Sequence, residues 1–330
     1  MIHRAKIIKT TEIAVKIIIV LLGIFVLYQK IFINQNITDV WNEVKTSFLN
    51  LNQYILMTIA FLLVPINIYM EGIKWKLQIK PIENISNWKS FLSIFTGMTA
   101  GMFFPNRAGN FLGRIFMLEK ADRVKAAMVT IVGGMAQMIA TLGIGLIAST
   151  FFVKNNLAVF LITSFIILTL LVLVYFNIHL LKYIKFIFPK KYKDKVNYYL
   201  DVFSLYTNTE LLKILLISFA RYFLYTFQFV LLIWSFNIPL TYFQAMIPIS
   251  LTYLSMMIIP FITITEIAVR GSVSIVIFEK WLEMNGISTS FGVMVFSASS
   301  LLWIFNIAVP AVIGLFLTHR LNFFRNKNES

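Results

Sequence analysis

The chain has no cysteine and only three histidines, His3, His179 and His319, in 330 residues. Without thiols it cannot form a disulfide, a cysteine-ligated zinc site, an iron–sulfur cluster or a thiol nucleophile. The histidines do not have the spacing of metal ligands. We therefore expect neither a bound metal nor another cofactor.

Charged residues are also scarce, at 13% of the chain against roughly 25% in a typical soluble domain. Hydrophobic residues make up 59%. This composition excludes a water-soluble enzyme, a disordered chain and a free nucleic-acid-binding domain, and it predicts an all-α polytopic membrane protein. The formal net charge is +15, and in membrane proteins such an excess is typical of cytoplasmic loops facing anionic lipid.

Six segments are apolar over about the 20 residues needed to cross a bilayer. The first follows a basic N-terminus but lacks the small-residue cleavage site of a signal peptide, so we interpret it as a retained span. The predicted spans are Ile13–Tyr28, Tyr54–Tyr69, Ala126–Phe152, Leu157–His179, Leu211–Phe236 and Phe291–Leu317.

Two further apolar regions each consist of two short arms around a proline-bearing tip. An arm of 14 residues is only about 21 Å long as a helix. We therefore predict two re-entrant helical hairpins rather than full crossings. Their arms are Phe91–Phe104 with Ala108–Leu118, and Gln244–Ile259 with Ile264–Phe278.

The distribution of basic residues supports this topology. If both hairpins leave on the side they entered, the inside segments carry 19 Lys and Arg and the outside segments carry 3. A single crossing by the first hairpin region would place the six lysines between Leu181 and Glu210 outside, against the positive-inside rule. Two short spans fit the charges equally well. Both models predict a multi-pass protein of the bacterial inner membrane with cytoplasmic termini.

The order span, span, hairpin, span occurs twice, and the second set starts from the opposite face. We predict one membrane domain, residues 1–330, built from inverted repeats 13–152 and 157–317, with a basic cytoplasmic loop at 181–210. In transporters such repeats place a binding site near the midplane, between broken helices. The alternative is that any six-span protein with two short helices fits the same description.

Charged side chains within a bilayer are costly and mark functional sites by default. Arg107 begins the second arm of the first hairpin, where free backbone N–H groups favour an anion. Arg114 follows two turns later on the same face, and both arginines could bind a phosphate or carboxylate. The predicted substrate-binding residues are Arg107, Asn110, Arg114, Arg221, Glu266 and Arg270, and the predicted hairpin-tip residues are Pro105, Asn106, Gly109, Pro260 and Thr263.

Several of these residues have a structural interpretation as well. Glu266 and Arg270 are spaced to form an ion pair on one helix face, which would keep that helix neutral in lipid. Arg114 and Arg221 could instead extend to the membrane interface. Glu71, near the end of a predicted span, is a further candidate.

The segment Leu181–Leu200 mixes lysines with aromatic residues. This mixture predicts an interfacial stretch attracted to anionic lipid headgroups, and we expect no nucleic-acid partner. Tryptophans near the predicted span ends are typical of the aromatic belt at the membrane surface. They are Trp41, Trp75, Trp88 and Trp281.

The stretch from Phe103 to Leu118 resembles the P-x-R-x-G-E-x-x-R segment of the lysylphosphatidylglycerol synthase transmembrane-region family, also described as flippase-like. Pro105, Arg107 and Gly109 match, Arg114 lies one position late, and asparagine replaces the usual acidic residue after the glycine. The stretch from residue 259 to residue 271 resembles the family's second conserved region without its glycine-rich turn.

The resemblance implies translocation of an aminoacylated or otherwise anionic phospholipid, because in multidomain relatives a separate cytosolic domain makes the lipid. The chain ends about twelve residues after its last predicted span, so we expect no synthase domain here. No Walker, Rossmann, GxSxG or HExxH motif occurs.

Three functional hypotheses follow. The first is a translocator of an anionic, aminoacylated or lipid-linked substrate, without enzymatic activity. The second is a membrane enzyme or accessory protein acting on polyprenyl-phosphate carriers in glycan assembly, with Glu266, Glu71 or His179 as its acid–base group. The third is a non-transporting scaffold for a separately encoded synthase. A homo-oligomer is compatible with each of them.

Overall fold

A computed structural model of the chain describes residues 45–46, 50–104, 109–153, 155–187, 189–261, 265–287 and 289–317. Over these ranges the backbone is mainly helical and contains no strand, as predicted. The α-helices are α1 (Leu51–Leu62), α2 (Val64–Ile79), α3 (Asn87–Gly101), α4 (Gly109–Ile115), α5 (Arg123–Ser149), α6 (Leu157–Phe176), α7 (Lys190–Leu200), α8 (Asn208–Ser235), α9 (Tyr242–Ile258), α10 (Glu266–Met284), α11 (Gly292–Trp303) and α12 (Val309–Leu315). Shorter segments are the 3₁₀ helices Ile178–Ile187 and Asp201–Leu205 and the π helix Ile304–Ala308.

Five helical stretches are long and apolar enough to cross a membrane, which indicates a multi-pass membrane protein. They agree with five of the six predicted spans, although the second predicted span ends too early. The predicted first span, Ile13–Tyr28, lies outside the described residues. The five stretches are Leu51–Ile79, Arg123–Ser149, Leu157–Phe176, Asn208–Ser235 and Gly292–Leu315.

The first of these stretches corrects the sequence prediction. Helix α2 continues to Ile79, well past the predicted end at Tyr69, so the predicted loop from Gly72 to Lys89 is largely helical. The hydropathy pattern stops at the first charged residue, whereas Glu71 and Lys74 are buried within the helix.

Helix α10 is also longer than predicted. It runs from Glu266 to Met284, 19 residues, rather than ending at Phe278. At about 1.5 Å per residue this is about 28 Å, about a third longer than the arm of about 21 Å that suggested a short hairpin. The helix stops where Gly286 adopts a positive φ of 75°, a conformation that glycine takes without steric cost.

The described residues fall into two compact units, each containing chain from both halves of the sequence. The first unit takes its described residues from Met1–Leu63, Met102–Arg107 and Thr226–Ala308. The second takes them from Val64–Gly101, Ala108–Tyr225 and Val309–Ser330.

In the second unit, α3 and α4 form a tightly packed antiparallel pair. A Cβ added to Gly97 would lie 2.6 Å from the Asn110 carbonyl oxygen, and one added to Gly113 would lie 2.7 Å from the Gly97 Cα. Glycines on both helices therefore allow the backbones to approach as small-residue motifs do in membranes. Helix α12 packs on the same pair, since the Thr99 hydroxyl donates to the Ala311 carbonyl over 2.6 Å.

Glu83 closes the base of this hairpin from the α2–α3 loop. Its carboxylate accepts three consecutive backbone N–H groups, from Glu119 at 3.1 Å and from Lys120 and Ala121 at 2.8 Å. Lys89 lies 3.5 Å from the same carboxylate. Burial would raise the pKa of Glu83, but the three N–H donors and Lys89 outweigh it, so the pKa lies below its usual value.

Three segments that were predicted to share one side of the membrane meet at this end of the second unit. The Lys80 ammonium lies 3.6 Å from the Glu210 carboxylate, and the Lys125 ammonium lies 3.6 Å from the centre of the Tyr198 ring. The α2–α3 loop, the α4–α5 loop and the basic segment before α8 are thus neighbours.

The first unit is built around α9, α10, α11 and the part of α8 from Thr226 onward. The Phe229 ring lies 6.4 Å from Tyr253 and 6.0 Å from Phe278, joining three helices at their centre. Phe61 of α1 packs edge-on against Phe305 at 5.1 Å. Aromatic contacts of this kind stabilise the apolar part of this unit.

We expect Gly113→Ala to destabilise the protein, because the added methyl group would collide with the backbone of α3. Overpacking of this kind costs about 1–3 kcal/mol, so the apparent melting temperature in detergent should fall. Gly134→Ala is the matched control, since no described atom lies within 4 Å of its added Cβ. Equal melting temperatures for both variants would contradict the tight α3–α4 packing.

We expect the Glu83 interaction to depend on pH. Its folded-state pKa is lowered, so its stabilisation is fully present above the ordinary glutamate pKa of about 4.3 and is lost as pH falls through the lower folded value. Glu83→Gln should cost about 1–3 kcal/mol at pH 7 and progressively less below about pH 4.

The measurement is the melting temperature of both proteins at a series of pH values. Glu283→Gln is the control, because the Glu283 side chain is 71% exposed and its pair with Lys280 lies at the surface, so this variant should show little difference. A Glu83→Gln deficit that stays constant down to pH 3 would rule out a titrating carboxylate.

Candidate functional site

Helix α2 carries a buried polar face. Asn67, Glu71, Lys74 and Gln78 follow one another at intervals of three or four residues, which places them on one side of the helix. All four are buried, with Lys74 only 3% exposed. Polar side chains buried in this way require partners, because burying an uncompensated charge costs several kcal/mol.

The Glu71 carboxylate forms ion pairs with three cationic groups. The Arg114 Nη1 lies 2.7 Å from its Oε1, the Lys74 Nζ lies 2.9 Å from its Oε2, and the Arg221 Nη1 also pairs with Oε2. The Arg221 Nε donates in addition to the Asn67 side-chain oxygen over 3.0 Å. We call Glu71, Lys74, Arg114 and Arg221 the Glu71 cluster.

The elements of the second unit explain how these side chains meet. The glycine contacts between α3 and α4 bring Arg114 against α3, where its side chain lies close to Gly97. Arg221 is the fourteenth of the 28 residues of α8, about 20 Å from either end of that helix. The cluster therefore lies level with the middle of a membrane-spanning helix.

Two buried donors beside the cluster have no hydrogen-bond partner among the described residues. They are the Nε atom of Arg114 and the indole Nε1 atom of Trp75. The Arg114 guanidinium carbon lies 5.9 Å from the centre of the Trp75 ring, so the two side chains are neighbours. Both donors are therefore available to an acceptor atom of a bound ligand.

The cluster has an excess of positive charge. Three cations surround one carboxylate, which leaves a formal charge of +2. In the first unit, buried Glu266 pairs with Arg270, as the sequence spacing allows. A site with two uncompensated positive charges in a low-dielectric interior favours an anionic ligand.

The structure places the predicted site residues in different surroundings. It brings Arg114 and Arg221 together, and neither reaches out to the membrane interface. Asn110 packs against Gly97 and Gly101, and Gly109 is buried at the start of α4. Pro260 follows α9 and is half-buried. Pro105, Asn106, Arg107 and Thr263 lie outside the described residues.

Sequence reasoning named Glu71 as a candidate but missed Lys74 and Trp75 on the same helix. Lys74 was assigned to an inside loop, and Trp75 was assigned to the interface belt, yet Trp75 is fully buried beside Arg114. The available signal was the spacing of Asn67, Glu71 and Lys74 on one helix face. The predicted span ended at Tyr69, so this spacing was not recognised as part of one helix. Of the other belt tryptophans, Trp281 is buried and Trp88 is exposed.

Glutamate and lysine substitutions at the cluster should have opposite effects on stability. Glu71→Gln raises the excess charge to +3 and should destabilise the protein by about 3–5 kcal/mol. Lys74→Met lowers the excess charge to +1, while Glu71 remains paired with both arginines. This variant should therefore cause no loss of stability. The measurement is the melting temperature in a non-ionic detergent without multivalent anions.

The Glu266–Arg270 pair is the control for this prediction. Both side chains are buried, and removing either one takes an opposite charge from the other, so both Glu266→Gln and Arg270→Met should destabilise the protein. If Lys74→Met were as harmful as Glu71→Gln, the cluster would be a balanced structural network without spare positive charge.

No family model matches this chain, and no curated protein or solved structure matches it. The likeness to the lysylphosphatidylglycerol synthase transmembrane-region family therefore rests on two short motifs in the sequence. Among the described residues, no group of three or more histidines, aspartates or glutamates could hold a metal ion. What characterises the site is its own geometry, a buried carboxylate surrounded by three cations.

Proposed function

We propose that this protein is a flippase-like translocator that moves a lipid or lipid-linked substrate with an anionic headgroup across the bacterial inner membrane. The Glu71 cluster binds the headgroup while the apolar tails stay in the bilayer. The observation that carries the proposal is the formal charge of +2 on buried side chains of two candidate membrane-spanning helices and of the short helix α4.

The arrangement of the cations supports headgroup binding. Two guanidinium groups and one ammonium group converge on a single carboxylate, and guanidinium groups bind phosphate and carboxylate oxygens bidentately. Arg114 and Trp75 add two donors that are unpaired among the described residues. An anion entering here would compete with Glu71 for cations that are already in place.

The position of the cluster supports translocation rather than surface attachment. Arg221 lies at the middle of α8, where a bound headgroup would be distant from both membrane surfaces. In this proposal, α3 and α4 form a re-entrant hairpin and the two halves of the chain form inverted repeats that alternate access to the site. Clustering of the basic loops at one end of the second unit supports a cytoplasmic location for that end.

The acid–base alternative has less support from the same contacts. The Glu71 carboxylate is already paired with three cations, and the Glu266 carboxylate is paired with Arg270. Neither carboxylate is therefore a free proton acceptor. His179 is exposed on a 3₁₀ helix. A scaffold for a separate synthase would need no buried excess of positive charge.

The test is a lipid-translocation assay in proteoliposomes. Fluorescently labelled phosphatidic acid, phosphatidylglycerol and phosphatidylcholine are compared by their accessibility to a membrane-impermeant quencher. We expect an anionic lipid to equilibrate faster with the wild-type protein than in empty liposomes. Arg114→Gln and Arg221→Gln should each slow this by about tenfold or more, because each removes a charge-assisted contact.

Lys213→Gln is the matched control, because Lys213 is an exposed cation on the same helix as Arg221. It should leave the rate unchanged. If all three variants translocated lipid as fast as the wild-type protein, the Glu71 cluster would not be the headgroup site.

A further inference from the structure

We infer that the headgroup bound by the Glu71 cluster is a phosphomonoester dianion on a lipid, rather than a phosphodiester. This inference rests on the proposed function and narrows its substrate class. It follows from the charge of the cluster, from its unpaired donors and from the apolar surroundings of the site.

The charge of the cluster sets the charge of the ligand. Among the described residues, the ion pairs of Lys74, Arg114 and Arg221 are all with Glu71, so a formal excess of +2 remains there. A phosphodiester lipid such as phosphatidylglycerol carries one negative charge and would leave +1 buried. A phosphomonoester carries nearly two negative charges at neutral pH and would neutralise the cluster.

The donors also fit a monoester. A terminal phosphate has three non-bridging oxygens that accept hydrogen bonds, whereas a diester has two. The cluster offers the guanidinium groups of Arg114 and Arg221, the ammonium group of Lys74, and the indole N–H of Trp75. Donors distributed over these four residues can be satisfied together by three acceptor oxygens, each of which accepts more than one hydrogen bond.

The surroundings favour a lipid as the carrier of this phosphate. Helix α4 buries Arg114 but exposes Phe111 and Leu112, and α8 exposes Leu216 and Phe223 near Arg221. Arg221 has the most exposed side chain of the cluster, at 18%. A headgroup that reaches Arg221 is thus bordered by apolar surface on which acyl or polyprenyl chains can lie.

The experiment is a thermal-shift titration of the full chain in a non-ionic detergent. The probes are dioleoyl phosphatidic acid, dioleoyl phosphatidylglycerol, inorganic phosphate and glycerol 3-phosphate. Because a ligand stabilises the folded state according to its concentration relative to Kd, each titration gives an apparent Kd. We expect phosphatidic acid to bind about tenfold or more tightly than phosphatidylglycerol, which has identical tails.

The variants locate this preference. Lys74→Gln lowers the excess charge to +1 and should weaken phosphatidic acid binding by about tenfold, with a smaller change for phosphatidylglycerol. Arg221→Gln should do the same, which covers the case in which Lys74→Gln does not fold. Lys76→Gln removes an exposed lysine on the same helix, one that contacts Asn87, and should leave both affinities unchanged.

The outcomes distinguish a failure of this inference from a failure of the proposed function. If the two lipids bind equally and both lose affinity in Lys74→Gln, the anion site stands but the monoester assignment is wrong. If inorganic phosphate binds as tightly as phosphatidic acid, the site recognises a phosphate dianion, but the assignment of a lipid as its carrier is wrong. If neither lipid responds to Lys74→Gln or Arg221→Gln, the proposed headgroup site fails together with this inference.

Discussion

The interaction on which the rest of this structure depends is the contact of one carboxylate with three cations. Glu71 lies on α2, Arg114 on α4 and Arg221 on α8, so its ion pairs join three helices of the second unit. In a low-dielectric interior such charges hold their partners strongly, and removing the carboxylate leaves them all uncompensated. The same contact keeps the cations gathered at one point, which is the arrangement that an anionic headgroup requires.

Packing of small residues makes this arrangement possible. The glycines of α3 and α4 allow the backbones to approach closely, and that approach places Arg114 beside α2. Glu83 fixes the base of the hairpin by accepting three backbone N–H groups from the α4–α5 loop. The polar contacts at the base and the apolar packing along the helices thus support the same geometry.

Much of the fold was predictable, because a bilayer imposes a simple rule on sequence. Five predicted spans agree with helices of the structure, and the spacing of Glu266 and Arg270 correctly allowed an ion pair. The errors fell where charged residues lie inside helices. Hydropathy alone ended the second span at Tyr69 and placed Lys74 in a loop, because it treats a buried, paired lysine as a solvated one.

The sequence by itself determined the helical class, the membrane spans and the short list of intramembrane arginines, since hydropathy and local spacing are properties of neighbouring residues. Only the tertiary structure decided that Arg114 and Arg221, 107 positions apart, share one carboxylate. It also decided that α12 packs on α3, although the two are far apart in the chain. Neither contact has a local signal, because ion pairing and packing depend on which helix faces meet after folding.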